Sequence, residues 1–171
     1  MDDHPIHLDD HPSVLSYVVM PRYYLASAAS VATIEAIGQT FYYEFRYPGL
    51  KQTVVNEMHL PIGKQVTIDL TSSEPDIRNA VIHSFWVPEF RVKQDMIPGM
   101  IVPIHFTPTR LGTYRMICTE FCGLGHSEMV GRVVVESQED FDKWFAAQRI
   151  AQATGGTPAP IPLAQGDAGA G

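Results

Sequence analysis

Short runs of β-branched and aromatic residues, separated by proline or glycine, recur along the middle of the chain. The segment 34–47 is dense in such residues and ends at Pro48-Gly49, which is a turn signal. Residues 66–71 alternate apolar and polar positions, as a strand with one buried face does. The same kind of run recurs at residues 53–60, 80–85, 101–106, 113–118 and 130–136. Several short strands with turns between them predict an all-β sandwich or barrel.

One helix is predicted directly after the last strand. Ser137 can act as its N-cap, and Glu139 falls in the first turn, where the helix dipole favours negative charge. Phe141, Trp144 and Phe145 lie three and four positions apart and share one helical face. We therefore expect this aromatic face to dock the helix on the sheets.

The pattern divides the chain into three parts. Residues 1–32 combine a polar, histidine-containing leader with an ambiguous segment, residues 33–150 form the predicted domain, and residues 151–171 have the composition of a flexible Pro/Gly/Ala linker. No signal peptide is visible, and a proline and an arginine interrupt the apolar run at 13–34. We expect a soluble fragment that lacks its membrane anchor.

Composition and charge exclude one large class of partners. The chain has 171 residues, 45% of them hydrophobic, which suits one folded domain with extensions. The formal net charge is −7 and the pI is near 5.4, whereas a nucleic-acid-binding domain needs a basic patch. Only two cysteines are present, so no disulfide framework holds the fold.

Both cysteines lie in one short loop together with two other soft metal ligands. Cys118, Cys122, His126 and Met129 follow one another there, and His83 stands upstream in a strand-like run. Thiolate, thioether and imidazole together favour copper. A blue copper centre uses one cysteine, two histidines and a weak axial methionine. The additional thiolate suggests two metal ions that share two sulfur atoms.

Three other interpretations of these residues stay open from chemistry alone. A disulfide between Cys118 and Cys122 leaves the histidine and methionine spacing unexplained. A structural zinc site of two cysteines and two histidines is the stronger rival, although zinc rarely recruits methionine and His83 lies far upstream. A nucleophilic cysteine with a histidine base has no use for a second cysteine or a methionine.

The loop also resembles the signature of a known family. Cys118-x-Glu120-x-Cys122-Gly-x-x-His126-x-x-Met129 is similar to the dinuclear copper-A motif of cytochrome c oxidase subunit II. Residues 56–63, 81–88, 93–99 and 112–114 resemble other landmarks of that subunit in the same order. The resemblance covers roughly residues 34–145. It implies a cupredoxin-like Greek-key β-barrel with one C-terminal helix.

The resemblance implies a ligand set for two copper ions. Cys118 and Cys122 would bridge both ions, His83 and His126 would each bind one, and Met129 would add a weak thioether. The backbone carbonyl of Glu120 would be a weak oxygen ligand, and its side chain would reach a magnesium ion at the border with the catalytic subunit. The implied metal residues are His83, Cys118, Glu120, Cys122, His126 and Met129.

The implied function is electron transfer within a bacterial respiratory haem–copper oxidase. The domain would accept electrons from a cytochrome c, fused or separate, and pass them to haem in subunit I. It would belong to an enzyme as subunit II without a substrate-turnover site of its own. It would lie on the outer face of the cytoplasmic membrane, held there by an N-terminal hairpin that is missing here. Alternatives are the copper-A domain of nitrous-oxide reductase and a copper-binding or delivery protein.

One segment departs from the family pattern. The family has a tryptophan-containing aromatic cluster where electrons arrive, whereas residues 39–47 of this chain contain no tryptophan. We predict that Tyr43 takes that position and that electrons leave through His126 or its loop. His59 and His105 lie in strand-like runs away from the ligand loop, and we expect both to be structural.

Overall fold

The computed structural model describes residues 33–74 and 77–155. Ten strands and one helix are formed by these residues, with short 3-10 turns at Ile77–Asn79, Pro88–Phe90 and His126–Glu128. The strands are β1 (Thr33–Gln39), β2 (Tyr42–Arg46), β3 (Val54–Val55), β4 (Glu57–Pro61), β5 (Val66–Ser72), β6 (His83–Val87), β7 (Val92–Met96), β8 (Val102–Phe106), β9 (Gly112–Ile117) and β10 (Val130–Glu136), and the helix is α1 (Gln138–Thr154).

The strands form two five-stranded sheets. The first sheet has the order β3-β2-β1-β5-β8, and the second has the order β4-β10-β9-β6-β7. Two pairs are parallel, β1 with β5 and β4 with β10, and the other strand pairs are antiparallel. Both parallel pairs join segments that are distant in sequence, so each sheet depends on long-range contacts. The predicted all-β architecture with one C-terminal helix is confirmed.

The segment 34–47 was predicted as one β-rich run, and the structure divides it into a hairpin. β1 and β2 pair antiparallel, with Gln39 opposite Tyr42 across the turn. The turn residues are Thr40 and Phe41, and neither is a glycine or proline that would mark a turn in the sequence. The hairpin matters for function because its turn lies against the loop that holds the cysteines.

The hydrophobic core fills the space between the two sheets. Aromatic side chains of both sheets are fully buried there, among them Tyr43 and Phe45 of β2 and Phe85 of β6. The sulfur-containing side chains of Met116 and Met129 are also fully buried. The loop that carries the predicted metal ligands therefore packs against the core and does not project freely into solvent.

Helix α1 begins and docks as the sequence predicts. The Ser137 hydroxyl accepts a hydrogen bond from the Asp140 backbone N–H at 3.1 Å, which caps the N-terminus. Trp144 is buried and stacks on His59 of β4, with ring centroids 4.1 Å apart. It also meets Tyr47 edge-on at 5.1 Å. The aromatic face of the helix therefore covers the core beside β4.

The predicted outer parts of the chain fall largely outside the described residues. This applies to the leader at 1–32 and to most of the linker at 151–171. Helix α1 continues past residue 150 to Thr154, where Gly155 ends it in the left-handed conformation. Within the two described ranges, no helix combines the length and the apolar character needed to cross a bilayer.

Candidate metal centre

The predicted ligands converge at one end of the second sheet. Cys118 directly follows β9 and Met129 directly precedes β10, and the Cys118 N–H donates to the Met129 carbonyl at 3.2 Å to close the loop. His83 is the first residue of β6, which pairs with β9. Neighbouring strand ends therefore bring His83 to the loop, although 35 residues separate it from Cys118.

Three donor atoms form the centre of the site. The sulfur atoms of Cys118 and Cys122 are 3.9 Å apart, and both cysteines are free thiols. His83 Nδ1 lies 4.0 Å from the Cys118 sulfur. All three donors lie within 4.8 Å of one another. Two sulfurs that each bind one ion at about 2.3 Å can be at most about 4.6 Å apart, so this spacing fits a shared ion.

The remaining predicted ligands divide between the two sulfurs. His126 Nδ1 is 3.5 Å from the Cys122 sulfur, and Met129 Sδ is 4.0 Å from the same atom. The Glu120 backbone carbonyl instead lies near the other sulfur, 3.3 Å from that of Cys118. One sulfur thus faces an imidazole and a carbonyl, and the other faces an imidazole and a thioether.

Burial changes the pKa of two of these donors, Cys122 and His83. Burial raises the pKa of the Cys122 thiol to about 12, and the neighbouring Cys118 adds to that rise. Burial also lowers the pKa of His83, which favours the neutral imidazole that binds metals. His83 Nε2 is buried without a hydrogen-bond partner in the described part of the protein. Copper would displace the thiol protons on binding, and thiolate, thioether and neutral imidazole together suit this soft metal.

The side chain of Glu120 points away from the sulfurs. Its carboxylate lies 3.3 Å from the Lys93 ammonium, which is also 3.4 Å from the Asp95 carboxylate. These charges are about half exposed, so the pairs contribute little to stability. Glu120 thus faces the loop with its carbonyl and the surface with its carboxylate.

Tyr43, the predicted electron-accepting residue, lies beneath the site. It is 0% exposed, and its hydroxyl donates to the Ser84 carbonyl at 2.8 Å. A donor protein therefore cannot touch its ring directly, and its role in electron arrival stays a prediction. Burial raises the pKa of Tyr43 far above its ordinary value, so the hydroxyl keeps its proton.

Other aromatic and apolar side chains surround the loop, and sequence reasoning missed them. A Cβ added at Gly123 would lie 3.1 Å from the Phe41 ring and one at Gly125 would clash with it, so this ring packs directly under the loop. Phe121 and Leu124 stand on the outside of the loop, 82% and 103% exposed. The available signal was their position between the metal ligands, where an ordinary solvated loop would place polar residues.

Comparison with known proteins decides the family. A family profile described as cytochrome c oxidase subunit II, periplasmic domain, matches residues 50–138, just over half of the chain. The chain belongs to this family. This subunit II domain is 40% identical over 111 residues to cytochrome c oxidase subunit 2 of Thermostichus vulcanus, an alignment that covers 65% of this chain and 32% of that protein. It is 42% identical over 93 residues to the alternative cytochrome c oxidase subunit 2 of Bradyrhizobium diazoefficiens, covering 54% and 31%.

A solved structure shows the same fold. The periplasmic domain of cytochrome oxidase subunit II (CoxB) of Bradyrhizobium japonicum superposes with a TM-score of 0.65 at 27% identity, covering 72% of this chain and 96% of that one. The match confirms the cupredoxin-like fold and, with the family profile, identifies the chain as the copper-A domain of subunit II. It favours the oxidase over nitrous-oxide reductase.

The chain covers only part of the relatives that it matches. It spans about a third of the length of the curated relatives named above. The family description is that of a periplasmic domain of cytochrome c oxidase subunit II. The donor set of this chain fits copper binding.

Proposed function

We propose that this domain holds a dinuclear copper centre that receives electrons from a cytochrome c and delivers them to haem in oxidase subunit I. The observation that carries the proposal is the pair of buried sulfurs 3.9 Å apart, each with its own imidazole. One sulfur with one imidazole would serve a single ion. Two bridging sulfurs with separate imidazoles suit two ions.

The geometry supports a definite division of the ligands. His83 and the Glu120 carbonyl would complete one copper, since both lie on the Cys118 side. His126 and Met129 would complete the other, since both lie on the Cys122 side. When bound, the two coppers supply a redox centre that takes up and releases one electron. The chain's residues hold the ligands rigidly on strand ends and exclude water from the sulfurs.

Electron exit is proposed at the outer face of the loop, through His126 or its loop. Phe121 and Leu124 form an exposed apolar surface over the ligands, and the Phe121 ring lies 5.8 Å from the His126 ring. Subunit I would cover this surface. Tyr43 remains the proposed residue of electron arrival, and because it is buried a cytochrome c would reach it only through the side chains that cover it.

A magnesium ion is proposed at the Glu120 carboxylate, at the boundary with subunit I. The carboxylate is about 41% exposed and turned outward, so a partner subunit can reach it. Lys93 occupies it in the isolated domain, so the ion would have to displace this ammonium. Attachment to the membrane through an N-terminal hairpin and a cytochrome c that is fused to the domain also belong to this proposal.

The decisive experiment is copper reconstitution followed by copper analysis and visible and electron paramagnetic resonance spectra. We expect two coppers per chain and a hyperfine pattern of one electron shared by both. Cys122→Ser should destroy that pattern. A four-line pattern from one copper contradicts the dinuclear centre, and a colourless zinc form that resists copper contradicts the whole proposal. Rapid loss of copper to a mild chelator would instead indicate a delivery protein.

A further inference from the structure

The residues that follow two of the proposed ligands are hydrogen-bonded to each other. Ser84 follows His83 on β6, and Thr119 follows Cys118 in the loop. The Ser84 hydroxyl accepts from the Thr119 N–H at 2.6 Å and pairs with the Thr119 hydroxyl at 2.8 Å. These bonds join the two segments at the point where their ligands leave the backbone.

Tyr43, which belongs to the first sheet, is hydrogen-bonded to the same serine. Its hydroxyl donates to the Ser84 carbonyl at 2.8 Å, so all of these contacts meet at one fully buried serine. The Tyr43 backbone is held in turn by Asn56, through bonds of 2.8 and 2.9 Å. The ring has little space to move, since a Cβ on Gly131 would lie only 3.3 Å from it.

We propose that Tyr43, Ser84 and Thr119 form a hydrogen-bonded clasp that sets the separation of His83 and Cys118 and so tunes the copper centre. The inference rests on the ligand assignment of the proposed function. None of the three residues is a proposed ligand, so they are positioning residues. Partners in this outer position orient ligands, and their loss typically weakens metal binding or activity by about 10- to 100-fold.

The competing explanation is that these bonds only stabilise the fold, and Tyr47 provides the matched control. Tyr47 is also buried, and its hydroxyl donates to the His59 carbonyl at 3.0 Å and accepts from the His59 N–H at 2.7 Å. It lies beside helix α1 and not beside the ligand loop. Tyr43→Phe and Tyr47→Phe therefore remove the same group from similar surroundings, and only the first touches the clasp.

The test uses the copper-loaded domain and its Tyr43→Phe, Tyr47→Phe, Thr119→Val and Thr119→Ser variants. Copper affinity is measured by chelator competition, with the midpoint potential, the copper hyperfine splitting and the unfolding temperature of the metal-free form. We expect Tyr43→Phe and Thr119→Val to lose about 10- to 100-fold in affinity with an altered splitting. Both variants should also shift the midpoint potential, because they release the two ligands from the positions that the clasp sets. Thr119→Ser, which keeps the hydroxyl, and Tyr47→Phe should match the wild type in all the copper measurements.

Each contrary result has a distinct meaning. If Tyr43→Phe and Thr119→Val keep the wild-type affinity, potential and splitting, the clasp is wrong and the dinuclear centre stands. If Tyr47→Phe changes the copper measurements as much as Tyr43→Phe, the hydroxyls act through general stability and the clasp is again wrong. A wild-type chain that fails to bind two coppers contradicts the proposed function itself, and the clasp with it.

Discussion

At the scale of single residues, the position of the proposed ligand His83 depends on a glycine that packs against its ring. Gly38 of β1 faces the ring of His83, and a Cβ added there would lie 2.9 Å from its Cδ2 atom. Real Cβ atoms essentially never approach other atoms so closely, so the ring or a strand would have to move. Gly38 thus leaves the space in which the proposed ligand sits.

Gly38→Ala is therefore expected to weaken copper binding. The added methyl group should push His83 away from Cys118, and overpacking of this kind typically costs about 1–3 kcal/mol of stability. Copper titration and denaturant unfolding of the metal-free domain measure the two effects. Wild-type copper affinity in Gly38→Ala would show that the ring has room to adjust.

At the scale of elements, His59 joins β4, β10 and α1. Its two ring nitrogens lie 3.0 Å from Glu57 and 2.8 Å from Glu136, and its face stacks on Trp144. Arg132 of β10 pairs with Glu57 at 2.6 Å. Although burial opposes the charge, the hydrogen bonds to Glu136 and Glu57 raise the pKa of His59 above its ordinary 6.5. The expected structural role of this histidine fits these contacts.

This raised pKa predicts how stability changes with pH. Between pH 6.5 and the folded pKa of His59, the folded state binds more protons than the unfolded state, so stability falls as pH rises. The contribution is complete below about pH 6.5 and lost above the folded pKa. The hydrogen bond to His59 also lowers the pKa of Glu57, which adds stability that is lost only in acid.

Urea unfolding of the metal-free domain at a series of pH values measures the effect. His59→Gln should flatten the decline above pH 6.5. His105→Gln is the matched control, because the hydrogen bond of His105 is to the Thr67 hydroxyl and not to a carboxylate. An unchanged slope in His59→Gln would mean that other groups cause the decline.

At the scale of the whole molecule, copper should stabilise the fold. The proposed ligands come from β6 and from the β9–β10 loop, and they gather only when the second sheet is complete. A metal that binds only the folded state adds about 2.7 kcal/mol at a free concentration 100-fold above its Kd. We expect copper to raise the Tm of the wild type and of His105→Gln, and not that of Cys122→Ser. An equal rise in Cys122→Ser would place the bound copper elsewhere.

Association with subunit I should also depend on which end of the molecule is altered. Phe121 and Leu111 are both exposed apolar residues, and they flank opposite ends of β9. We expect Phe121→Asp to weaken the association of the domain with subunit I by about tenfold, the effect of about 1.4 kcal/mol at an interface. Leu111→Asp should keep the wild-type affinity. A binding titration measures both affinities, and equal affinities in the two variants would contradict contact with subunit I at the loop.

The sequence by itself determined the β-architecture, the capped aromatic helix and the family. Strand periodicity and the Ser137 cap depend on residues next to one another. The ligand loop is also local, since four of the proposed ligand side chains belong to residues 118–129. Short-range spacing restricts where such residues can go, so these features can be predicted without knowledge of the packing.

Only the tertiary structure decided which groups surround the ligands. The pairing of the sheets places Tyr43 in the core, where its hydroxyl donates to the Ser84 carbonyl. The same packing puts Phe41 under the loop and Gly38 against His83. These contacts join segments that lie tens of residues apart. Their geometry depends on how two sheets face each other, which no local pattern of residues specifies.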